Sequence, residues 1–289
     1  MKLNNENDII KMWDQKLPMI SISCVAYNHQ EYIKECIESF LSQETNYPFE
    51  ILIHDDASED LTAEIIKQYE RKYPKIIFPI YQEKNQYSKN IKPNLLNIER
   101  AKGKYIAFCD GDDFWSSNQK LSKQIKYMEK FYMCDVSFHG VRVLFSNNTT
   151  EDKLKNSKPY IYSLNQVILQ DYRLVFSSSS IMIKSKTLKN IPNFYKIAPV
   201  EDYYLRILGS INGGGLYIPE ILSTYRRLTP NSYTQVNRFS KNIALRNYLA
   251  MKEARYYLGK SLISIVGYKL LLFYLKFVIL KFFKISKER

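Results

Sequence analysis

The sequence predicts an α/β protein built on a mostly parallel, doubly wound sheet. Short β-branched runs alternate with segments whose apolar residues recur at helical spacing, four times between residues 20 and 131. The first, second and fourth strand runs each end in polar residues. Sheets of this class bind ligands beyond the carboxyl ends of their strands.

The elements follow in order. Residues 20–26 (ISISCVA) read as a buried strand, and the chain turns at Tyr27-Asn28. Over 30–42, Ile33, Cys36, Ile37, Phe40 and Leu41 share one helical face. FEILIH (49–54) is the second strand. DDASED follows it, with Ser58 and Asp60 as N-cap candidates for the helix LTAEIIKQYERKY. IIFPI (76–80) is the third strand, 82–92 a polar loop, and 94–101 a short helix closed by Gly103. KYIAFC (104–109) is the fourth strand. Residues 118–131 form a helix with Leu121, Ile125 and Met128 on one face. Far downstream, Gly213-Gly214-Gly215 marks a turn before the strand LYIPEIL.

Composition narrows the class. At 45% hydrophobic and 25% charged, the 289 residues have ample material for a core. The first 18 residues contain no uninterrupted apolar run of the secretory type. Cys24, Cys36, Cys109 and Cys134 lack Cys-x-x-Cys spacing and read as reduced core residues of a cytosolic protein. A net charge of +13 suits nucleic acid, an anionic membrane surface or phosphorylated substrates.

Against that positive background, AFCDGDDFW places Asp110, Asp112 and Asp113 within four positions at a strand end. Carboxylates this close repel unless a cation sits among them. No G-x-G-x-x-G follows the first strand and no G-x-x-x-x-G-K-[ST] loop is present, so bound phosphates need a metal and side chains. An Asp-x-Asp turn can take some sites on Mg²⁺ or Mn²⁺ and leave the rest to diphosphate oxygens, with Gly111 allowing close backbone approach. The acids also suit turns and helix caps, and Asp55-Asp56 fits either role.

Four stretches in order resemble the family 2 glycosyltransferases of the GT-A fold: ISCVAYNHQEYIKECIESFLSQ, ILIHDDASEDLTAEII, YQEKNQYSKNIKP, and AKGKYIAFCDGDDFW followed by KLSKQIKYM. FSSSSIMIKSKTL, APVEDYYLRIL and STYRRLTPNSYT match more loosely. The resemblance covers about residues 18–235. It implies an N-terminal extension (1–17), a transferase domain (18–235) and a C-terminal helical region (236–289). It implies an inverting enzyme that moves a sugar from a nucleotide diphosphate, UDP by family habit, to a glycan or lipid-linked acceptor in bacterial surface polysaccharide or glycoconjugate assembly.

Carried over residue by residue, Ala26, Tyr27, Asn28, Asp55 and Asp56 hold base and ribose. Asp110 and Asp112 hold Mn²⁺ or Mg²⁺ and the diphosphate, Asp113 faces the sugar or supports the turn, and Asp202, beside Glu201, is the catalytic base. Where family members often carry a His two residues beyond the Tyr-Arg pair, this chain has Leu228, which cannot ligate; Arg226 or Arg227 is the replacement counter-charge. Ser177–Ser180 reads as a loop or strand edge near the acceptor, and Phe114 and Trp115 as packing residues.

Residues 261–289 place Lys269, Lys276, Lys281, Lys284 and Lys287 on one side of a helix, with Leu, Ile, Phe and Val opposite. No charge-free run of about 18 residues exists for a spanning helix. The pattern suits a helix lying on anionic lipid at the inner face of the cell membrane, or one packed on protein. Three other functions compete. A sugar nucleotidyltransferase needs a basic Gly-rich loop after the first strand, which is absent. A nucleic-acid-binding module needs Lys, Arg and aromatics where this edge carries acids, which argues against a nucleic-acid partner. An inactive transferase fold would not need the intact acid set.

Overall fold

In the computed structural model, residues 3–169, 177–227, 241–258 and 263–285 are described. Strand β4 (Tyr105–Phe108) shows the layering. Its Tyr105 and Ala107 enter one apolar core, while Ile106 and Phe108 enter a second. Successive strand side chains point to opposite faces, so this is a sheet covered on both sides.

The remaining strands are β1 (Ile20–Ala26), β2 (Phe49–Asp55), β3 (Ile77–Tyr81), β5 (Val136–Phe145), β6 (Thr150–Lys153), β7 (Tyr160–Tyr162), β8 (Met182–Lys184) and β9 (Gly215–Arg227). Their order is β3-β2-β1-β4-β8-β5-β9-β7, with β6 on β5. β3, β2, β1 and β4 are parallel. β8 is antiparallel to both β4 and β5, and β9 runs parallel to β5. The described helices are α1 (Glu6–Lys11), α2 (Ile33–Leu41), α3 (Thr62–Lys72), α4 (Pro93–Arg100), α5 (Lys120–Lys130), α6 (Leu164–Leu169), α7 (Asn193–Ile197), α8 (Glu201–Ser210), α9 (Lys241–Leu258) and α10 (Ile263–Ile285).

The first four strands and their helices fall where the sequence predicts them. Ser58 differs: it does not cap α3, and its hydroxyl instead donates to Asp55. Gly213 and Gly214 adopt φ of +71° and +78° immediately before β9, which accounts for the glycine run. All four cysteines are buried and free.

Both ends of the described chain join the body. Ile9 of α1 is buried in the first core, and Trp13 meets Phe49 edge-on at 5.4 Å. Ala250, Met251 and Ala254 of α9 and Val266 of α10 complete the second core. This corrects the expectation for Lys269: it is 1% exposed, on the inward side of α10, so it does not belong to a solvated basic face. The side chains of Lys281, Lys284 and Lys287 lie outside the described residues, as does Leu228.

α4 is stapled across the parallel strands by two side chains. Buried Asn97 donates from Nδ2 to Leu52 O (3.0 Å), Cys24 O (3.2 Å) and Ser23 Oγ (3.1 Å). Its Oδ1 accepts from Arg100, which also donates to Phe78 O and Ile53 O. Asn97→Ala leaves Arg100 without its side-chain acceptor in the interior. We expect a loss of about 2–3 kcal/mol in unfolding free energy, read from urea unfolding.

Candidate active site

The site grows from the carboxyl ends of β1, β2 and β4. Two loops are laced together there. The N–H of Asn28 donates to Ser58 Oγ (3.0 Å), that of His29 to Thr62 Oγ1 (2.8 Å), and that of Glu59 to Asn28 Oδ1 (2.8 Å). Asn28 takes φ +55°, a conformation Asn tolerates better than most residues. Ala26 is buried beneath this loop, whereas Tyr27 is 42% exposed at the rim.

Asp55 and Asp56 are both buried. Burial raises the Asp55 carboxyl above the usual range, against hydrogen bonds from Ser58 that lower it. Burial also pushes Asp56 up, but His54 and the N–H groups of Gln86 and Tyr87 outweigh it and hold Asp56 below the usual range. Those N–H groups donate to the two Asp56 oxygens at 2.7 and 3.0 Å. Asp56 therefore fastens the loop after β3 to the sheet edge.

The acid turn docks directly on β1. The Gly111 N–H donates to Val25 O (2.8 Å). A Cβ on Gly111 would lie 2.8 Å from His29 Nδ1 and 3.1 Å from the Ala26 Cβ, so a side chain here would force its neighbours to shift. The three acids then separate. Asp113 turns inward, where its Oδ1 accepts the Arg226 N–H (2.9 Å) and its Oδ2 the Ser177 hydroxyl (2.8 Å). Asp110 and Asp112 stay partly exposed at the edge, and Asp110 accepts the Ser178 hydroxyl at 2.7 Å. Burial and the neighbouring Asp112 charge push Asp110 up to about 7, with further contributions from Glu201 and Asp202. Those last two contributions place the opening of α8 within electrostatic reach of the acid turn.

Among the described residues, no three His, Cys, Asp or Glu side chains group to hold a metal ion. Asp113 is committed elsewhere, which leaves Asp110 and Asp112. Two hard carboxylates suit Mg²⁺ or Mn²⁺ where a substrate's oxygens and water supply the other positions.

Several side chains have roles that motif reading missed. Ser177–Ser180 is not a free loop edge. Ser178–Ser180 form a 3₁₀ turn beneath the acids, capped by Ser177, with Ser177 bonded to Asp113, Ser178 to Asp110 and Ser179 to Ser223. Arg226 is not aimed into the edge as a free counter-charge. Its guanidinium donates to Asp112 O (2.7 Å) and Glu35 and lies 4.6 Å from the Phe114 ring centroid. Trp115 is buried against Phe40, with the Lys120 ammonium 4.1 Å from its ring centroid. Asp202 opens α8, with an oxygen 2.7 Å from the Tyr203 N–H, while Glu201 accepts the Tyr195 hydroxyl at 3.1 Å.

A sequence profile described as Glycosyl transferase family 2 matches residues 21–191. The chain belongs to glycosyl transferase family 2. It is 33% identical over 229 residues to an uncharacterized protein of Mycobacterium tuberculosis, covering 76% of this chain and 63% of that relative's length. It is 31% identical over 238 residues to an uncharacterized glycosyltransferase of Methanocaldococcus jannaschii, covering 81% and 79%. A UDP-Glc:alpha-D-GlcNAc-diphosphoundecaprenol beta-1,3-glucosyltransferase of Escherichia coli is 40% identical over 114 residues, covering 39% and 42%.

The chain also shares its GT-A fold with solved structures. TarS of S. aureus in complex with UDP-GlcNAc superposes with a TM-score of 0.63 at 16% identity, covering 81% of this chain and 66% of that one. A mannosyltransferase of Pyrobaculum calidifontis in complex with GDP-Man and Mn2+ gives 0.59 at 14% identity, covering 92% and 76%.

The inward ties of Asp113 are testable. Asp113→Asn keeps an acceptor for the Arg226 N–H and a partner for Ser177, and should unfold within about 1 kcal/mol of the native protein. Asp113→Ala abandons both and should lose about 2–3 kcal/mol by denaturant unfolding.

Proposed function

We propose that this transferase moves a sugar from a nucleotide diphosphate, UDP-linked, to an acceptor hydroxyl with inversion, in the assembly of a bacterial surface polysaccharide or glycoconjugate. The observation that carries this is the Asp110-Asp112 turn, docked on β1 by Gly111 with Asp113 drawn inward, while the Glu201-Asp202 opening of α8 adds to the field at Asp110. The turn suits a diphosphate and the opening of α8 a nucleophile. In this reading residues 18–235 form the transfer unit, and the segments on either side brace it.

Ala26, Tyr27 and Asn28 line the base and ribose, with Asp55 and Asp56 shaping the wall behind them. Asp110 and Asp112 would hold the divalent cation, Mn²⁺ or Mg²⁺, which when bound supplies Lewis-acid stabilisation of the diphosphate. Gly111 keeps the turn close to β1, and Asp113 with Arg226 fixes its shape. Asp202 accepts the proton of the acceptor hydroxyl as it attacks the anomeric carbon opposite the leaving diphosphate, a contribution of roughly 10²–10⁴-fold.

Thermal unfolding with UDP, GDP, UDP-glucose, UDP-N-acetylglucosamine and GDP-mannose, with and without Mn²⁺, tests the donor site. One nucleotide should raise the midpoint in a metal-dependent way, because a ligand at 100 times its Kd adds about 2.7 kcal/mol. Asp112→Ala should lose the shift. Asp202→Asn should keep it and lose transfer by at least about 100-fold. No shift with any nucleotide, from folded protein, sinks the reading.

A lipid-linked acceptor fits the α10 surface. Leu271, Tyr274, Leu275 and Ile279 are exposed on it, and Lys276 is exposed beside them. No helix among the described residues is long and apolar enough to cross a membrane. We infer a peripheral contact with anionic lipid at the inner face of the cell membrane. Phosphatidylglycerol vesicles should sediment the protein at least about tenfold better than phosphatidylcholine vesicles. The double substitution Leu271→Asp and Leu275→Asp should abolish that; equal binding of both proteins rules the contact out.

A further inference from the structure

Lys92 has no part in the roles assigned above. It is the N-cap residue of α4, at the carboxyl edge of the sheet, with extended backbone (φ −85°, ψ 116°) ahead of Pro93. Its side chain runs inward: the residue is 4% exposed, and Nζ has no hydrogen-bond partner. The ammonium lies 4.7 Å from the centroid of the Tyr195 ring, itself fully buried on α7. The Tyr195 hydroxyl donates to Glu201 Oε2 at 3.1 Å. A cation over the ring draws π density toward itself and makes the phenol a better donor. Lys92, Tyr195 and Glu201 thus form a chain that ends at the first turn of α8, one residue from Asp202.

An unpaired buried ammonium is costly. The surrounding charges explain why it is tolerated. Burial above all, with Arg246 of α9, opposes its charged form, whereas Glu201 and Asp202 on α8 favour it, and Lys92 is lowered to about 8. Arg246 also pins the walls of this chamber. Its Nη1 donates to Asn90 Oδ1 (3.0 Å) and its Nε to Ile197 O (3.3 Å), joining the loop before α4 to the end of α7.

We propose that Lys92 is a positioning residue of the transfer reaction, acting through Tyr195 and Glu201 to hold the opening of α8, and with it Asp202, at the acceptor side of the site. The proposal rests on the reading of Asp202 as the base. The sign of its pH dependence follows from the charge. Below about pH 8 the ammonium is present and the chain is intact; as pH rises through about 8 the charge is lost. Transfer should therefore fall on the alkaline side.

The test compares native protein, Lys92→Met, Lys92→Arg and Asp202→Asn. The reaction read is nucleoside diphosphate release from whichever of UDP-glucose, UDP-N-acetylglucosamine or GDP-mannose gives the largest thermal shift, with water as acceptor. Lys92→Met should lower kcat at pH 7 by at least about tenfold, leave KM for the donor within about threefold, and remove the alkaline limb near pH 8. Lys92→Arg should restore most of kcat and carry the limb to higher pH, because a guanidinium stays charged there. Amide exchange over residues 201–205 should quicken in Lys92→Met and recover in Lys92→Arg; this needs no substrate and compares two folded variants. Unchanged exchange, or an alkaline limb that stays in place in Lys92→Met, overturns the proposal. If Asp202→Asn still turns over at the native rate, the assignment of the base fails and this inference falls with it. If Asp202→Asn is inactive and Lys92→Met behaves as native, this inference alone falls.

Discussion

Three carboxylates in four residues repel one another, and the fold around Asp110–Asp113 is arranged to hold them against that repulsion. Gly111 lets the turn sit on β1 where a Cβ would crowd His29, Ala26 and Ile33. Asp113 is drawn inward by the Arg226 N–H and the Ser177 hydroxyl, so its lone pairs are satisfied by neutral donors. Ser178 does the same for Asp110. What remains at the edge are Asp110 and Asp112, where burial and the neighbouring Asp112 charge raise the Asp110 carboxyl to about 7 and so disfavour its ionised form unless a cation offsets them. Each donor comes from a distant part of the chain, so the turn cannot be correct unless β8 and β9 are already in place.

The groups that are not free are as informative as those that are. Asp56 fastens a loop, and Arg226 clamps the turn from outside through Asp112 O and Glu35. Both are already paired within the fold. A site built this way is preorganised: the polar groups that support it are already paired when a substrate arrives, and little reorganisation is left to oppose binding.

The N-terminal half of the sheet was legible because its signals are local. Period-2 and period-3.6 patterns mark the first four strands and their helices, and the acid turn announces itself within nine residues. The other half was not. β5 runs through His139, Gly140 and Arg142, and β8 has only three residues, too short for periodicity to register. The antiparallel insertion of β8 between β4 and β5 is what carries the serine turn beneath the acids, and pairing across sequence separations of this size leaves no local trace. Lys269 failed for a related reason. A helical wheel assigns lysines to a polar face, but α9 and α6 decide which face of α10 is inside.

The short helices α7 and α8 also explain why the C-terminal helices belong to the body of the fold. α7 has five residues and α8 ten, lengths at which a helix draws its stability from packing more than from its own hydrogen bonds. Their packing comes from Ala250, Met251, Ala254 and Val266 in the second core, and from Arg246, which ties Ile197 to Asn90. The tie is mechanical as well as stabilising. It couples the loop before α4 to the end of α7, five residues before Asp202. A strain on α9 is therefore passed to the segment that leads into α8, whose short length gives it little stability of its own.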